Sequence, residues 1–321
     1  MSAKNTALVT GATSGLGFET AAQLAEAGYD RVTITARSEE KAADAKQRLE
    51  ARTGRAVFET LTFDLGELAT VESASDELKR RGNALDVLIL NAGLLPGKEL
   101  VRNEDGVEQT FALLVGHHLL TMRLTENQLL ADDARIVIAG SEAARGDVPF
   151  MKIVDLPEYA REAFDGDLEA AAGAVARQQP PVQFKGNNAY ADAKQFGAMW
   201  AGALARRLPD RSTINAVSPG STPETDAGRH QGFMMQRIML PLMTRFGGRV
   251  GVAHDLETGA GRYVGAIDFD DEVNGRFFAS APKKMIGSLQ DLTEPRISDQ
   301  ASQEAVWNVV VGLAGGVGYP E

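Results

Sequence analysis

The sequence predicts a doubly wound α/β fold, a single domain built on a parallel sheet. Three observations predict it. From residue 6 onward, short apolar β-branched runs alternate with longer amphipathic stretches, the pattern of repeated strand and helix units. The segment "TGATSGLG" (10–17) follows the first apolar run and opens the first amphipathic stretch, where glycines allow a tight turn beneath a helix N-terminus. Of 321 residues, 44% are hydrophobic and 24% charged, the balance of a globular chain with a sizeable core.

Strands are expected at "TALVT" (6–10), "VTITA" (32–36), "VFETLTF" (57–63), "DVLIL" (86–90), "RIVIA" (135–139) and "STINAV" (212–217), with "GRFFAS" (275–280) as a possible seventh. Between them "GFETAAQLAEAG", "EEKAADAKQRLEART", "LATVESASDELKRR" and the stretch 104–130 carry helical periodicity, and several end at glycine, as helices do. Two regions break the alternation within the single domain 1–321. Residues 142–189 form a long polar and Ala-rich insert in which "QQPP" marks an extended segment or turn, and such inserts commonly serve a nearby site. Residues 221–274 include "GFMMQRIMLPLMTRF", which reads as a buried helix or as a substrate lid, since Met suits irregular cores and adaptable surfaces alike.

Composition excludes several function classes. The net charge of −11, from 44 acidic against 33 basic residues, repels phosphate backbones and anionic headgroups, so neither nucleic acid nor a membrane surface is an expected partner. Without cysteine there is no disulfide, no thiolate metal site and no thiol nucleophile. The histidines 117, 118, 230 and 254 form no HExxH-like array, and no metal is expected. "MSAKNTALVT" lacks the regions of a signal peptide and no apolar run reaches the length of a membrane span, so the expected address is cytoplasmic.

The glycine segment carries the first binding prediction. Gly11, Gly15 and Gly17, with Thr13, Ser14 and Leu16 between them, bring backbone N–H groups to a pyrophosphate at the positive helix end. The GK[ST] of a triphosphate loop is missing, which disfavours ATP. Twenty residues past Gly17, where an Asp or Glu would receive the ribose of NAD, the chain reads "TARS", with Ala36 and then Arg37. A guanidinium there suits a 2′-phosphate, and the expected cofactor is NADP(H) in preference to NAD(H). Ser14 and Lys41 can assist. Asp64 and the adjoining Leu65, after the third strand, are placed to meet the adenine, although a capping role for Asp64 is equally open.

Tyr190 and Lys194 in "NNAYADAKQF" are spaced i, i+4, which puts a phenol and an ammonium on one helix face. Together with the glycine segment, "NAG" (Asn91, Ala92, Gly93) after the fourth strand, Ser141 after the fifth and "SPG" (218–220) after the sixth, they occur in one order along one sheet. Over roughly residues 6–225 this combination resembles the short-chain dehydrogenase/reductase family. The resemblance implies a Rossmann fold with a C-terminal substrate-binding extension. It also implies Tyr190 as general acid/base, Lys194 as its activator and ribose ligand, and Ser141 as the group that orients the substrate oxygen. A positive charge beside a phenol of pKa about 10 should lower it toward the working range. Asn91 to Gly93 would support the central strand and the adenosine ribose. Pro219 and Gly220, with Thr222 or Thr225, would pass the nicotinamide carboxamide.

One family element is absent. The family usually carries an asparagine in a stretch of the form NHLGHF, supporting a water path to the active-site lysine, whereas this chain reads "FALLVGHHLLT" and places Leu113 or Leu114 there. Proton resupply is then left to His117, His118 or solvent. Insert and extension look most like the retinol dehydrogenase and protochlorophyllide reductase branches, which act on large apolar substrates. The photoreductases use a pocket cysteine, and this chain has none, so an apolar ketone, aldehyde or alcohol is the expected small-molecule partner. Two alternatives stay open, a catalytically idle NADP(H)-binding sensor or scaffold and a reductase of activated C=C bonds. A homo-oligomer is open too, because the apolar faces of the 104–130 and 190–207 helices can meet a partner subunit or pack beneath the insert.

Overall fold

The computed structural model describes residues 5–222 and 253–320. In chain order it contains β1 (Thr6–Val9), α1 (Gly15–Glu26), β2 (Arg31–Ala36), α2 (Glu39–Thr53), β3 (Phe58–Thr62), α3 (Leu68–Arg81), β4 (Leu85–Leu90), α4 (Gln109–Glu126) and β5 (Leu130–Ala139). A 3-10 turn (Glu142–Arg145), α5 (Leu156–Ala163), α6 (Leu168–Arg177), α7 (Gly186–Ala205) and β6 (Thr213–Val217) follow. The described chain closes with α8 (Leu256–Ala266), β7 (Phe277–Ser280), β8 (Leu289–Asp291), α9 (Pro295–Ser298) and α10 (Gln300–Leu313).

Within the described residues every predicted strand and helix is present. The strands form one sheet in the order β3-β2-β1-β4-β5-β6-β7-β8, parallel throughout except for antiparallel β8. β4 ("LDVLIL") and β6 ("TINAV") read as apolar runs because helices cover both faces of the sheet. One core lies under α3, α4 and α7, the other under α1, α2 and α8. The order reverses direction between β1 and β4, and the carboxyl ends of these two strands diverge into the crevice where open α/β sheets bind ligands.

The structure differs from expectation at three places. β8 was not foreseen, because a three-residue edge strand with one half-buried and two exposed residues carries no periodic pattern. The insert holds two capped helices: Asp155 accepts from Glu158 N–H at 3.2 Å and Asp167 from Ala170 N–H at 2.9 Å. Its expected end yields to α7, which already begins at Gly186. Within 221–274, residues 256–266 form the regular crossover helix α8, packed on α1. The methionine-rich stretch 232–246, Thr225 and His230 lie outside the described residues.

The outer faces of α4 and α7 are packed within the chain, by α6 from the insert and by α10. His118 sits at this junction. Its Nδ1 accepts from Trp200 Nε1 at 3.0 Å, so its Nε2–H donates to the Val317 carbonyl at 2.7 Å, and the Trp307 ring stands edge-on at 5.1 Å. Burial lowers its pKa to about 4 and keeps it neutral.

Gly116 is what lets α4 approach the loop after β3, since a Cβ there would lie 2.2 Å from the Leu65 carbonyl oxygen. Gly116→Ala should destabilise the fold by roughly 2–3 kcal/mol through overpacking. Gly312→Ala, where a Cβ meets nothing within 4 Å on the exposed side of α10, should gain about 0.5–1 kcal/mol of helix propensity. Urea unfolding of the two variants checks both.

Candidate active site

The carboxyl edge of β1, β4, β5 and β6 gathers the predicted residues. Gly11 takes φ +65° and Gly15 φ +57°. A Cβ on Gly17 would lie 2.4 Å from the Gly11 carbonyl oxygen and 2.5 Å from Asn91 Nδ2, so only glycine fits. Asn91 Nδ2 donates to the carbonyls of Thr10 (2.9 Å) and Gly11 (3.3 Å), and Ala92 N–H donates to the Thr10 hydroxyl (3.0 Å). The glycine loop is thereby bolted to the end of β4. The first turn of α1 carries no acidic residue, leaving its positive end for an anion. This cradle of small residues fits a dinucleotide pyrophosphate.

Arg37 is exposed at the end of β2, and Lys41, also exposed, follows in the first turn of α2. Arg48 was missed by the sequence reading. It reaches from α2 to the Thr13 carbonyl at 3.4 Å while stacking over Phe18 at 4.6 Å and pairing with Asp44 at 3.0 Å. Only the fold brings α2 beside the glycine loop. Asp64 is half-buried and its Oδ1 accepts from Gly66 N–H at 2.8 Å, a local turn, while Glu67 is the residue preceding α3. Leu65 is buried beside α4.

Ser141, Tyr190 and Lys194 converge. Ser141 caps the 3-10 turn, accepting from Ala143 N–H at 3.2 Å, and its hydroxyl is hydrogen-bonded to the Tyr190 phenol. Burial raises the phenol's pKa, the Ser141 bond opposes this, and the charge of Glu142 raises it further. The expected lowering by Lys194 is not what this geometry produces. The ammonium donates instead to the Ala139 carbonyl at 2.6 Å and lies 5.8 Å from the Tyr190 ring centroid. Burial lowers the pKa of Lys194 to about 8. Gly93 leaves room for it, with Nζ 3.5 Å from where a Cβ would stand.

Leu113 and Leu114 both line a cavity of about 30 Å³ beside Lys194 and His117, room for about one water. His117 was a candidate for proton resupply and is here buried, with Nε2 2.9 Å from the Thr10 hydroxyl. Burial first and the Lys194 charge second lower its pKa to about 3, so it is neutral. His118, the other candidate, is committed to Trp200 and Val317. Pro219 is buried, Gly220 takes φ +82°, and Thr222 packs against α8, its Cγ2 lying 2.7 Å from where a Gly259 Cβ would stand. Among the described residues no cluster of His, Asp and Glu is arranged to hold a metal, and no helix is long and apolar enough to cross a membrane.

A parallel sheet with a glycine cradle at its switch point and a Ser-Tyr-Lys set at the adjoining strand ends defines a nicotinamide-dependent oxidoreductase site. The chain belongs to the short-chain dehydrogenase/reductase family, whose model, described as short chain dehydrogenase, matches residues 5–153. It is 28% identical over 327 residues to the chloroplastic protochlorophyllide reductase of Chlamydomonas reinhardtii, covering 97% of this chain and 78% of that protein. It is 30% identical over 216 residues to the WW domain-containing oxidoreductase of Gallus gallus, covering 67% of this chain and 48% of that one, so it spans about half of that relative's length. Two solved structures share the fold. A short chain dehydrogenase from Burkholderia cenocepacia J2315 in complex with NADP gives a TM-score of 0.59 at 24% identity, covering 85% of this chain and 95% of that one. Salutaridine reductase from Papaver somniferum gives 0.60 at 21%, covering 85% and 99%.

The buried ammonium of Lys194 has a measurable cost. In the unfolded chain it keeps its proton up to its usual 10.5, in the folded chain only to about 8, so the penalty is full below pH 8 and fades between these values. Lys194→Met should therefore stabilise the ligand-free protein by roughly 1–2 kcal/mol at neutral pH. In urea titrations over a pH series, that gain should shrink as pH rises from 8 toward 10.5.

Proposed function

We propose that this chain is an NADP(H)-dependent reductase or dehydrogenase acting on the carbonyl or alcohol of a fairly large apolar substrate. The observation that carries the reading is the convergence of Ser141 on Tyr190 beside Lys194, at the strand ends that adjoin the glycine cradle. When bound, the nicotinamide supplies or accepts the hydride. Tyr190 holds the proton that the substrate oxygen gains or loses, and a phenol whose pKa burial raises keeps that proton at neutral pH, which favours the reducing direction. Ser141 orients the same oxygen. Lys194 holds a positive charge behind Tyr190 and offers donors to a ribose. Arg37, exposed at the end of β2 with no carboxylate at Ala36, supports NADP(H) over NAD(H), and Arg48 adds a second cation near Thr13.

The absence of cysteine weighs against protochlorophyllide as the substrate, whatever the likeness in length. A second reading, a catalytically idle NADP(H)-binding protein, is favoured by Leu113 and Leu114 at the position of the family's asparagine. The cavity between Lys194 and His117 speaks for turnover, because it leaves room for a relay water despite the leucines.

The test is NADPH consumption against a panel of apolar ketones, aldehydes and enones. Turnover of an enone alone would assign C=C reduction, and tight binding without any turnover would favour the idle reading. Tyr190→Phe should lower kcat by about 10²–10⁴-fold while NADPH affinity stays within about twofold, since only the proton donor is lost. Wild-type rates in that variant would refute the mechanism. Arg37→Asp should weaken NADPH by about 10–100-fold and leave NADH nearly unchanged in fluorescence titrations; equal effects would remove the 2′-phosphate assignment.

A further inference from the structure

Glu142 and Arg262 are both buried, and neither belongs to the Ser-Tyr-Lys set. Glu142 follows Ser141 directly and turns inward. Its Oε2 accepts from the Ser218 hydroxyl, and its Oε1 accepts from Ser280 N–H (3.2 Å), the Ser280 hydroxyl (3.0 Å) and Arg262 NH1 (3.5 Å). Arg262, from α8, donates through NH1 to the Ser218 carbonyl (3.0 Å). Through NH2 it donates to the Ser280 hydroxyl (3.0 Å), to His254 Nε2 (2.9 Å) and to the Gly287 carbonyl. Four separate stretches of chain thus meet on one buried ion pair.

What the pair holds is the loop after β6. The Ser218 hydroxyl, fixed by Glu142, accepts from Gly220 N–H at 3.2 Å. A Cβ on Gly220 would lie 2.5 Å from His254 Cδ2 and 3.2 Å from Arg262 NH1, so the loop is drawn down onto the guanidinium. Ser221 N–H donates to the Met285 carbonyl (2.9 Å) and its own carbonyl accepts from His254 N–H (2.7 Å). Arg145 anchors the facing segment through the carbonyls of Ser280 (2.6 Å) and Lys284 (2.9 Å). Two charges removed from water stay favourable only while each keeps its partners, so the pair resists any displacement of the loop.

We infer that the Glu142–Arg262 pair is a positioning device that presets the 218–222 loop for the nicotinamide half of the dinucleotide, a role separate from the glycine cradle that serves the adenosine half. The inference rests on the NADP(H) reading above. It goes beyond that reading by assigning recognition of the nicotinamide end to a carboxylate and an arginine that sit beneath the loop and not on its surface.

The experiment compares Glu142→Gln with the wild-type chain by calorimetric titration with two probes, NADPH and adenosine 2′,5′-bisphosphate, which lacks the nicotinamide half. The variant should bind NADPH about tenfold more weakly, because the loop is no longer preorganised. Its affinity for the bisphosphate should stay within about twofold, because the glycine cradle is untouched. The nicotinamide emission of NADPH at saturation should also fall. Ser280→Ala keeps both charges and removes the hydroxyl between them. It covers the case in which Glu142→Gln does not fold, with the same split at about threefold. Equal losses on both probes, as general destabilisation would give, or no loss on either, overturn the inference. A wild-type chain that binds neither probe overturns the cofactor reading itself and the inference with it.

Discussion

The bond from the Asn91 amide to the carbonyls of Thr10 and Gly11 is the constraint on which the site depends. At the β1–β4 crevice the strands diverge, and their terminal carbonyls lose the ladder partners they have inside the sheet. A buried carbonyl without a partner is costly, and the Asn91 side chain supplies the donor. In doing so it sets the distance between the glycine loop and the end of β4. Gly17 must lack a side chain because Asn91 and Gly11 already fill that space, and Ala92 is held to the same Thr10 hydroxyl.

From this bolt the polar chain continues inward. The Thr10 hydroxyl meets His117, and His117 borders the cavity that also touches Lys194. Lys194 lies against the Ala139 carbonyl, two residues before Ser141. A path of polar groups thus runs from the glycine loop toward Ser141 and Tyr190, interrupted at the cavity between His117 and Lys194. Desolvation shifts the members in a common sense, toward their neutral forms: Tyr190 upward, Lys194 and His117 downward.

The insert and the C-terminal helix complete the scaffold around α7. Val154 N–H donates to Asp192 Oδ1 at 2.8 Å and Lys152 N–H to Asn188 Oδ1 at 3.0 Å, so the insert is tied to α7 on either side of Tyr190. Burial raises the Asp192 pKa to about 7, a cost that such a tether offsets with one backbone bond. On the far side, α10 lies on α7 and His118 joins Trp200 to the C-terminal Val317. The helix carrying Tyr190 and Lys194 is held along its whole length.

The alternation of apolar runs and amphipathic stretches by itself determined the sheet, its helices and the glycine cradle, because these depend on local periodicity and on residues with special backbone freedom. Tyr190, Lys194 and Ser141 were legible only through the resemblance, as members of an ordered set of motifs at successive strand ends, since an i, i+4 pair or a serine after a strand means little alone. Only the tertiary structure decided that Lys194 turns to the Ala139 carbonyl, that α8 is a crossover helix, and that α6 and α10 cover α4 and α7. It alone brought Arg48 to Thr13, and Glu142 to Arg262, 120 residues apart. Sequence spacing describes neighbours along one element. Burial and charge pairing are settled between elements, by contacts whose partners are distant in the chain and carry no pattern of their own.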